Sequence, residues 1–281
     1  MMPYVLIVSA TVLFSLQFLF NSGYERECGS GWPVARNFAL ITGAIGALFL
    51  LILGGFKLQF SWFSAGIALL YAIANILYTF ASIKALAVAN LSLYSMFAML
   101  GGMLLPYIFG LCIGEEFKFT GVLCCVLITV ALLLTVEKGQ AKSGALKYYL
   151  LVFFLNGLFG VLSTLHQRSD LAVDSNSYLF LGRVATVVIC AVCLLLDKNR
   201  SFRHTFKAVG YSVGYSVFSC VGNLLLLLAL LNLPASVQYP IVTGGVIVLS
   251  AVVDVLRRET VTVKTWIAVG IAFAASVVIA L

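Results

Sequence analysis

The sequence predicts an all-α membrane protein of ten transmembrane helices, arranged as two inverted five-helix repeats. Three observations carry this prediction. The 281 residues are 62% hydrophobic and only 10% charged, with a mean hydropathy of +1.11. Ten apolar runs approach the ~20 residues that a spanning helix needs, and the connections between them are short. One stretch, from Asn90 to Val136, recurs 144 residues later: Ser92 falls on Ser236, Gly101 on Gly245 and Glu115 on Glu259.

Composition comes first because it excludes most alternatives. A soluble domain carries about 25% charged residues, and here too little polar surface remains to cover a water-facing core. The formal charge of +7 would suggest nucleic acid only if the positives shared a soluble face. They lie instead in short loops between apolar runs, where they act as topology signals, so no nucleic-acid partner is expected. Of seven cysteines, six lie within apolar runs and only Cys28 is expected in a loop. Cys190 and Cys193 form a C-x-x-C pair inside an apolar run with no second pair, which reads as buried structure rather than a metal site. The first apolar run has no basic flank and no small-residue cleavage site, so it is expected to remain as a helix.

In chain order the runs occupy 2–20, 34–53, 60–81, 91–113 and 120–136 in the first half. In the second they occupy 148–167, 178–196, 206–231, 235–256 and 263–281. The breakers fall between them: Gly29-Ser30-Gly31-Trp32-Pro33, Gly54-Gly55, Lys138-Gly139-Gln140-Ala141-Lys142 and Asn232-Leu233-Pro234. The polar, lysine-rich break from 137 to 147 divides the ten helices five and five. The second run of each half opens on an arginine, Arg36 and Arg183, and Tyr71 matches Tyr215 at the same shift of 144. Five is odd, so the second copy enters the membrane from the opposite side, and inverted repeats of this kind place a site between the halves near the midplane. Loop charges set the orientation. One side collects thirteen basic residues, among them Arg26, Arg36, Lys84, Lys147, Lys207, Arg257 and Arg258. The other has three, Lys57, Lys118 and Arg168, with Arg183 just inside a helix. The positive-inside rule then puts both termini outside the cell.

These residues resemble the drug/metabolite transporter superfamily, in its EamA-like ten-helix branch, over essentially the whole chain. The most specific stretches run from Gln238-Tyr239-Pro240 to Arg258-Glu259-Thr260-Val261-Thr262, and from Tyr94-Ser95-Met96 to Gly114-Glu115-Glu116-Phe117. Met96 stands where the family usually has proline. The resemblance implies an EamA-like repeat over 1–137, a connection over 138–147 and a second repeat over 148–281. It implies an alternating-access carrier whose cavity is lined by helices 1, 3, 4, 6, 8 and 9. Many members are drawn with cytoplasmic termini, against the charge count here.

Polar residues fall on helical stripes of those six helices. Helix 3 carries Tyr71, Asn75 and Tyr78; helix 6 carries Asn156, Gly160, Ser163 and Gln167; helix 8 carries Tyr215, Ser219, Gly222 and Asn223. Helix 1 adds Gln17 and Asn21, helix 4 Tyr94 and Ser95, and helix 9 Gln238, Tyr239 and Thr243. Amides unpaired in hydrocarbon cost several kcal/mol, so each should face a wet cavity or else join helix to helix. As a set they are expected to bind substrate. Helices 5 and 10, nearly free of polar residues, are expected to form a lipid-facing rim. Helix 1 lacks the carboxylate that small multidrug exporters of this superfamily use. Asp254, Glu115 and Glu259 stand at helix ends, as structural residues. Tyrosines and amides suit a neutral or zwitterionic metabolite, or an ammonium over aromatic faces. Arg183 would contact a substrate carboxylate or snorkel to the interface; His166 would carry a coupling proton or serve structure.

The expected function is therefore secondary active transport of a small polar metabolite, such as an amino acid or amine, across the cytoplasmic membrane of a bacterium. The lipid bilayer and a coupling proton or Na+ are the other expected partners; no cofactor and no metal are expected, and monomer and homodimer are both compatible. A lipid-carrier flippase of the same superfamily is the alternative. An intramembrane enzyme is disfavoured: Glu115-Glu116 and His166-x-x-x-Asp170 are its best motifs, and Thr120 stands where such proteases carry an arginine.

Overall fold

The computed structural model describes residues 2–88, 91–113, 119–135, 145–197, 205–230, 235–258 and 262–280. These form ten helices and, among the described residues, no strand. The first five are α1 (Met2–Cys28), α2 (Trp32–Leu53), α3 (Trp62–Leu86), α4 (Leu91–Cys112) and α5 (Phe119–Thr135). The rest are α6 (Ala145–Gln167), α7 (Ser175–Leu196), α8 (Phe206–Leu230), α9 (Ala235–Leu256) and α10 (Val263–Ala280). Among the described residues, seven helices have apolar spans of 22 to 25 residues. At ~1.5 Å rise per residue each exceeds the ~30 Å hydrocarbon core. Their outward faces are apolar too, with Leu48, Leu70, Val188 and Leu195 each at least half exposed. The chain is a membrane protein. In lipid a helix satisfies its own backbone, so the apolar runs become helices with no help from propensity.

The helix ends carry local signals. Gly31 precedes α2, with proline in its first turn, where the missing N–H costs nothing. Ser61 caps α3 by accepting from Ser64 N at 3.1 Å. Asp174 caps α7, accepting from Ser177 N at 3.0 Å. Elsewhere the boundaries differ from expectation. Helix α1 runs on to Cys28, so Asn21, Ser22 and Cys28 are helical rather than in a loop. The reason is packing: Tyr24, 0% exposed, sits against Phe38 with ring centroids 4.3 Å apart. Helix α3 likewise extends to Leu86 and takes in Lys84. Six basic residues counted for orientation (Lys118, Lys138, Lys142, Lys198, Arg200, Arg203) lie outside the described residues, as do Glu115, Glu116 and Glu259.

Most of the packing is between helices distant in sequence. Helix α1 lies along α8 and α9, and α6 lies along α3 and α4; α2 crosses α7, α4 meets α9, and α10 packs on α5 and α9. Glycine makes the tightest contact possible between α4 and α6. A Cβ at Gly101 would overlap the backbone of Phe153, and one at Gly157 would come 2.6 Å from the Gly101 carbonyl oxygen. Small residues permit this backbone approach, the usual source of packing energy where lipid competes for apolar side chains.

Polar contacts tie the two ends of the bundle. At one end Arg36 Nη1 meets Asp197 Oδ2 at 2.6 Å, Arg257 Nη1 donates to Ser22 Oγ at 3.2 Å, and Thr205 Oγ1 donates to Glu27 Oε1 at 2.8 Å. At the same end the buried Asp254 carboxylate accepts from Leu91 N and Ser92 N at 3.2 and 2.7 Å. It caps the start of α4, favourable at the positive end of the helix dipole. At the opposite end Asn176 Nδ2 donates to Leu50 O at 3.1 Å, and Ser61 Oγ to Leu171 O at 2.8 Å. Arg36 corrects an expectation: it is 0% exposed and paired, so it is a buried structural cation rather than a loop charge.

Candidate functional site

Seven helices, α1, α3, α4, α6, α7, α8 and α9, enclose a cavity of about 130 Å³. Its walls mix aromatic and aliphatic side chains (Phe14, Phe18, Met99, Phe159, Leu226) with polar ones from both halves of the chain. The stripe on α3 enters intact: Tyr71, Asn75 and Tyr78 all line it, because a spacing of four and three keeps one helical face. Helix α6 contributes Asn156, Gly160 and Ser163, α8 contributes Tyr215, Ser219 and Asn223, and α1 contributes Gln17. Thr243 arrives from α9.

Several of these groups are held in place by bonds away from the cavity. Asn156 Nδ2 donates to the Ala98 carbonyl of α4 at 2.7 Å, and Asn223 Nδ2 donates to the Ser219 carbonyl at 2.7 Å. Their donors are thereby occupied in part, leaving their carbonyl oxygens as the groups a ligand could meet. Tyr78 OH pairs with Tyr94 OH at 2.8 Å, and Tyr94 OH also meets Ser82 Oγ at 2.9 Å. Tyr71 stacks near Phe159, centroids 4.7 Å apart, and Tyr215 meets Phe38 edge-on at 4.9 Å. Gln17 is 7% exposed, and its Oε1 is buried with no hydrogen-bond partner. A buried acceptor of this kind normally has one.

Arg183 is the single charged residue among the cavity's described lining residues. It is 8% exposed, and its Nη2 donates to Ser219 Oγ at 2.9 Å. Snorkelling to the interface is thereby ruled out as its role; the side chain turns inward. Helix α2 makes room for it. A Cβ at Gly46 would sit 3.3 Å from Arg183 Cδ, and one at Gly43 would sit 3.4 Å from the Arg183 carbonyl.

Not every expected residue joins the cavity. Tyr94 is fully buried one layer behind it and ties α4 to α3, while Ser95 Oγ donates to Ser92 O of its own helix at 3.0 Å. Gln167 is exposed at the last position of α6, past the cavity's reach. His166 is buried and is not among the lining residues. Its Nε2 lies 2.9 Å from Ser64 Oγ and its ring stacks on Tyr178 at 4.0 Å, which makes it a tie between α3, α6 and α7. The side chains of Gln238 and Tyr239 lie outside the described residues. Leu179 and the aromatic wall of Phe14, Phe18 and Phe159 escaped the sequence, which brought α7 to the site through Arg183 alone. The Gly43-x-x-Gly46 face of α2 is the signal that could have decided between the two roles left open for Arg183.

Compared with known proteins, the chain matches no family model and no curated protein. Among solved structures 24 chains match. One, a crystal structure described simply as that of a protein, is 18% identical, with a TM-score of 0.61 over 98% of this chain and 95% of its own. At that identity the likeness speaks for the fold alone.

Proposed function

We propose that this chain is a secondary active transporter of the EamA-like ten-helix type, moving a small polar metabolite by alternating access through the central cavity. The observation that carries the proposal is a polar-lined cavity walled by both halves of an otherwise apolar bundle. Three features support an inverted repeat around it. Advancing every helix by five turns the α1–α8 contact into α6–α3, α4–α6 into α9–α1, and α2–α8 into α7–α3, all of which occur. The α2–α7, α4–α9 and α5–α10 contacts map onto themselves under the same operation. The matched glycines do matched work: Gly101 faces α6 at Phe153, and Gly245 faces α1 at Thr11. Tyr71 and Tyr215, matched at the same shift, both line the cavity.

The volume bears on the cargo. About 130 Å³ is close to the ~150 Å³ cavity that accepts benzene, which favours a compact metabolite over the head group of a lipid carrier. The expected location is the cytoplasmic membrane, and a proton or Na+ is the expected coupling ion.

Transport is tested on purified protein in proteoliposomes, measuring uptake and melting temperature on the same variants. Asn75→Ala and Asn223→Ala should each weaken transport by up to about tenfold, the worth of one hydrogen bond, at unchanged melting temperature. Lower stability with unchanged transport per folded molecule would assign both amides to helix packing and defeat the site. Orientation is tested by reporters joined after Leu281: activity of the extracytoplasmic reporter is expected, and activity of the cytoplasmic one alone would overturn the charge argument.

A further inference from the structure

Among the described residues, the cavity walls hold one positive charge and no negative one. A guanidinium does not deprotonate in proteins, and no acidic side chain lines the cavity among the described residues. All six described carboxylates lie at helix ends or in loops. Asp197 is taken by Arg36, Asp254 by the start of α4, Asp174 by the start of α7 and Glu27 by Thr205. Asp170 is exposed beyond α6, and Glu25 stands in the last turn of α1 beside Arg26. A buried charge with a hydroxyl for its partner is an expensive arrangement. It becomes favourable when a ligand brings the opposite charge, and the planar guanidinium fork matches a carboxylate through two parallel hydrogen bonds.

We propose that the cavity is a carboxylate site, that Arg183 binds the anion, and that the ligand is a small monocarboxylate with a compact body. The proposal rests on the transport reading for the ligand's passage across the membrane, though not for its binding. One negative charge makes the loaded cavity neutral. A zwitterion would leave a net positive charge in the cavity, with an ammonium facing no carboxylate, and an amine would add a second cation beside Arg183. A cavity of about 130 Å³ suits a compact ligand, and Phe14, Phe18 and Phe159 give its body an aromatic wall to pack on.

The test is binding to the purified full-length protein, read as thermal shift and titrated to a dissociation constant. The probes are lactate, benzoate and mandelate, the amides of the same three acids, and benzylamine. At least one acid should raise the melting temperature while its amide, equal in shape but uncharged, does not. Arg183→Gln should weaken the best acid by roughly 10- to 100-fold, the range for a hydrogen bond to a charged group. Arg183→Lys, which keeps the charge and loses the fork, should fall between the two and keep the preference for acid over amide; it decides the matter if the glutamine variant does not fold. The proposal is overturned if no acid binds, if an amide or benzylamine binds as well as the acids, or if acid binding survives in Arg183→Gln. Proteoliposome uptake separates this proposal from transport. An acid that binds and is never carried ends the transport reading and leaves the carboxylate site standing. Uptake of amides or amines independent of Arg183 does the reverse.

Discussion

Arg36 and Arg183 both lie on the second helix of their respective halves, one in its opening turns and one deeper in, and both are buried, yet the chain treats them oppositely. Arg36 lies at one end of the bundle, where α7 delivers Asp197 to within 2.6 Å, and Asn37 Oδ1 accepts from its Nε at 3.3 Å. Arg183 sits on the wall of the cavity and gives its Nη2 proton to a serine. One cation is neutralised by the fold and fastens α2 to α7. The other is left for a ligand to neutralise. Two arginines on matched helices thus divide stability and binding between them, and the presence or absence of a counter-charge tells which does which.

Melting temperature on two variants could break this contrast. Asp197→Ala leaves Arg36 buried and unpaired, a loss that costs 3–5 kcal/mol for fully buried pairs. Because Asp197 is 29% exposed, about 3 kcal/mol is expected. Arg183→Gln removes a charge the fold never paired, so the same measurement should show a melting temperature at or above that of the parent. If Arg183→Gln melts as low as Asp197→Ala, Arg183 is structural and the division of labour fails. A smaller effect sharpens the picture: Ser219→Ala takes away the hydroxyl that accepts from Arg183. A hydrogen bond to a charged group is worth about 1.5–3 kcal/mol, and about 2 kcal/mol is expected here in the unliganded protein. Saturating carboxylate should narrow that gap, since the ligand replaces the lost acceptor; an equal gap with and without it would place the anion elsewhere.

Much of the fold was legible because lipid leaves the backbone few options. Every apolar run became a helix, and the stripe of Tyr71, Asn75 and Tyr78 reached the cavity together as its spacing required. Hydropathy failed where tertiary contacts decide. Residues 21–28 look like a loop by composition, but Tyr24 buries itself against Phe38 and carries α1 onward. Helical periodicity cannot tell a cavity face from a bonded layer behind it, which is why Tyr94 was misplaced, nor how far along a stripe the cavity reaches, which is why Gln167 was. Arg183 was visible as a charge in a membrane helix, but its direction depends on two glycines of another helix. The pairing of Arg36 with Asp197 spans 161 positions, and no local pattern encodes it.

The carboxylate of Asp254 on the first turn of α4 has a consequence for how the protein is made. The amide groups of Leu91 and Ser92 leave the ribosome 163 and 162 residues before the carboxylate that receives them. At a synthesis rate of about 5–20 residues per second, α4 waits roughly ten seconds or more with two amide donors at its start not yet bonded to Asp254. Its final seat exists only once α9 has entered the membrane. The first five helices therefore emerge as an unfinished half, and the second half completes them as it is inserted. Maturation belongs to the whole chain, because α4 is seated only by α9 and the main partner of α5 is α10.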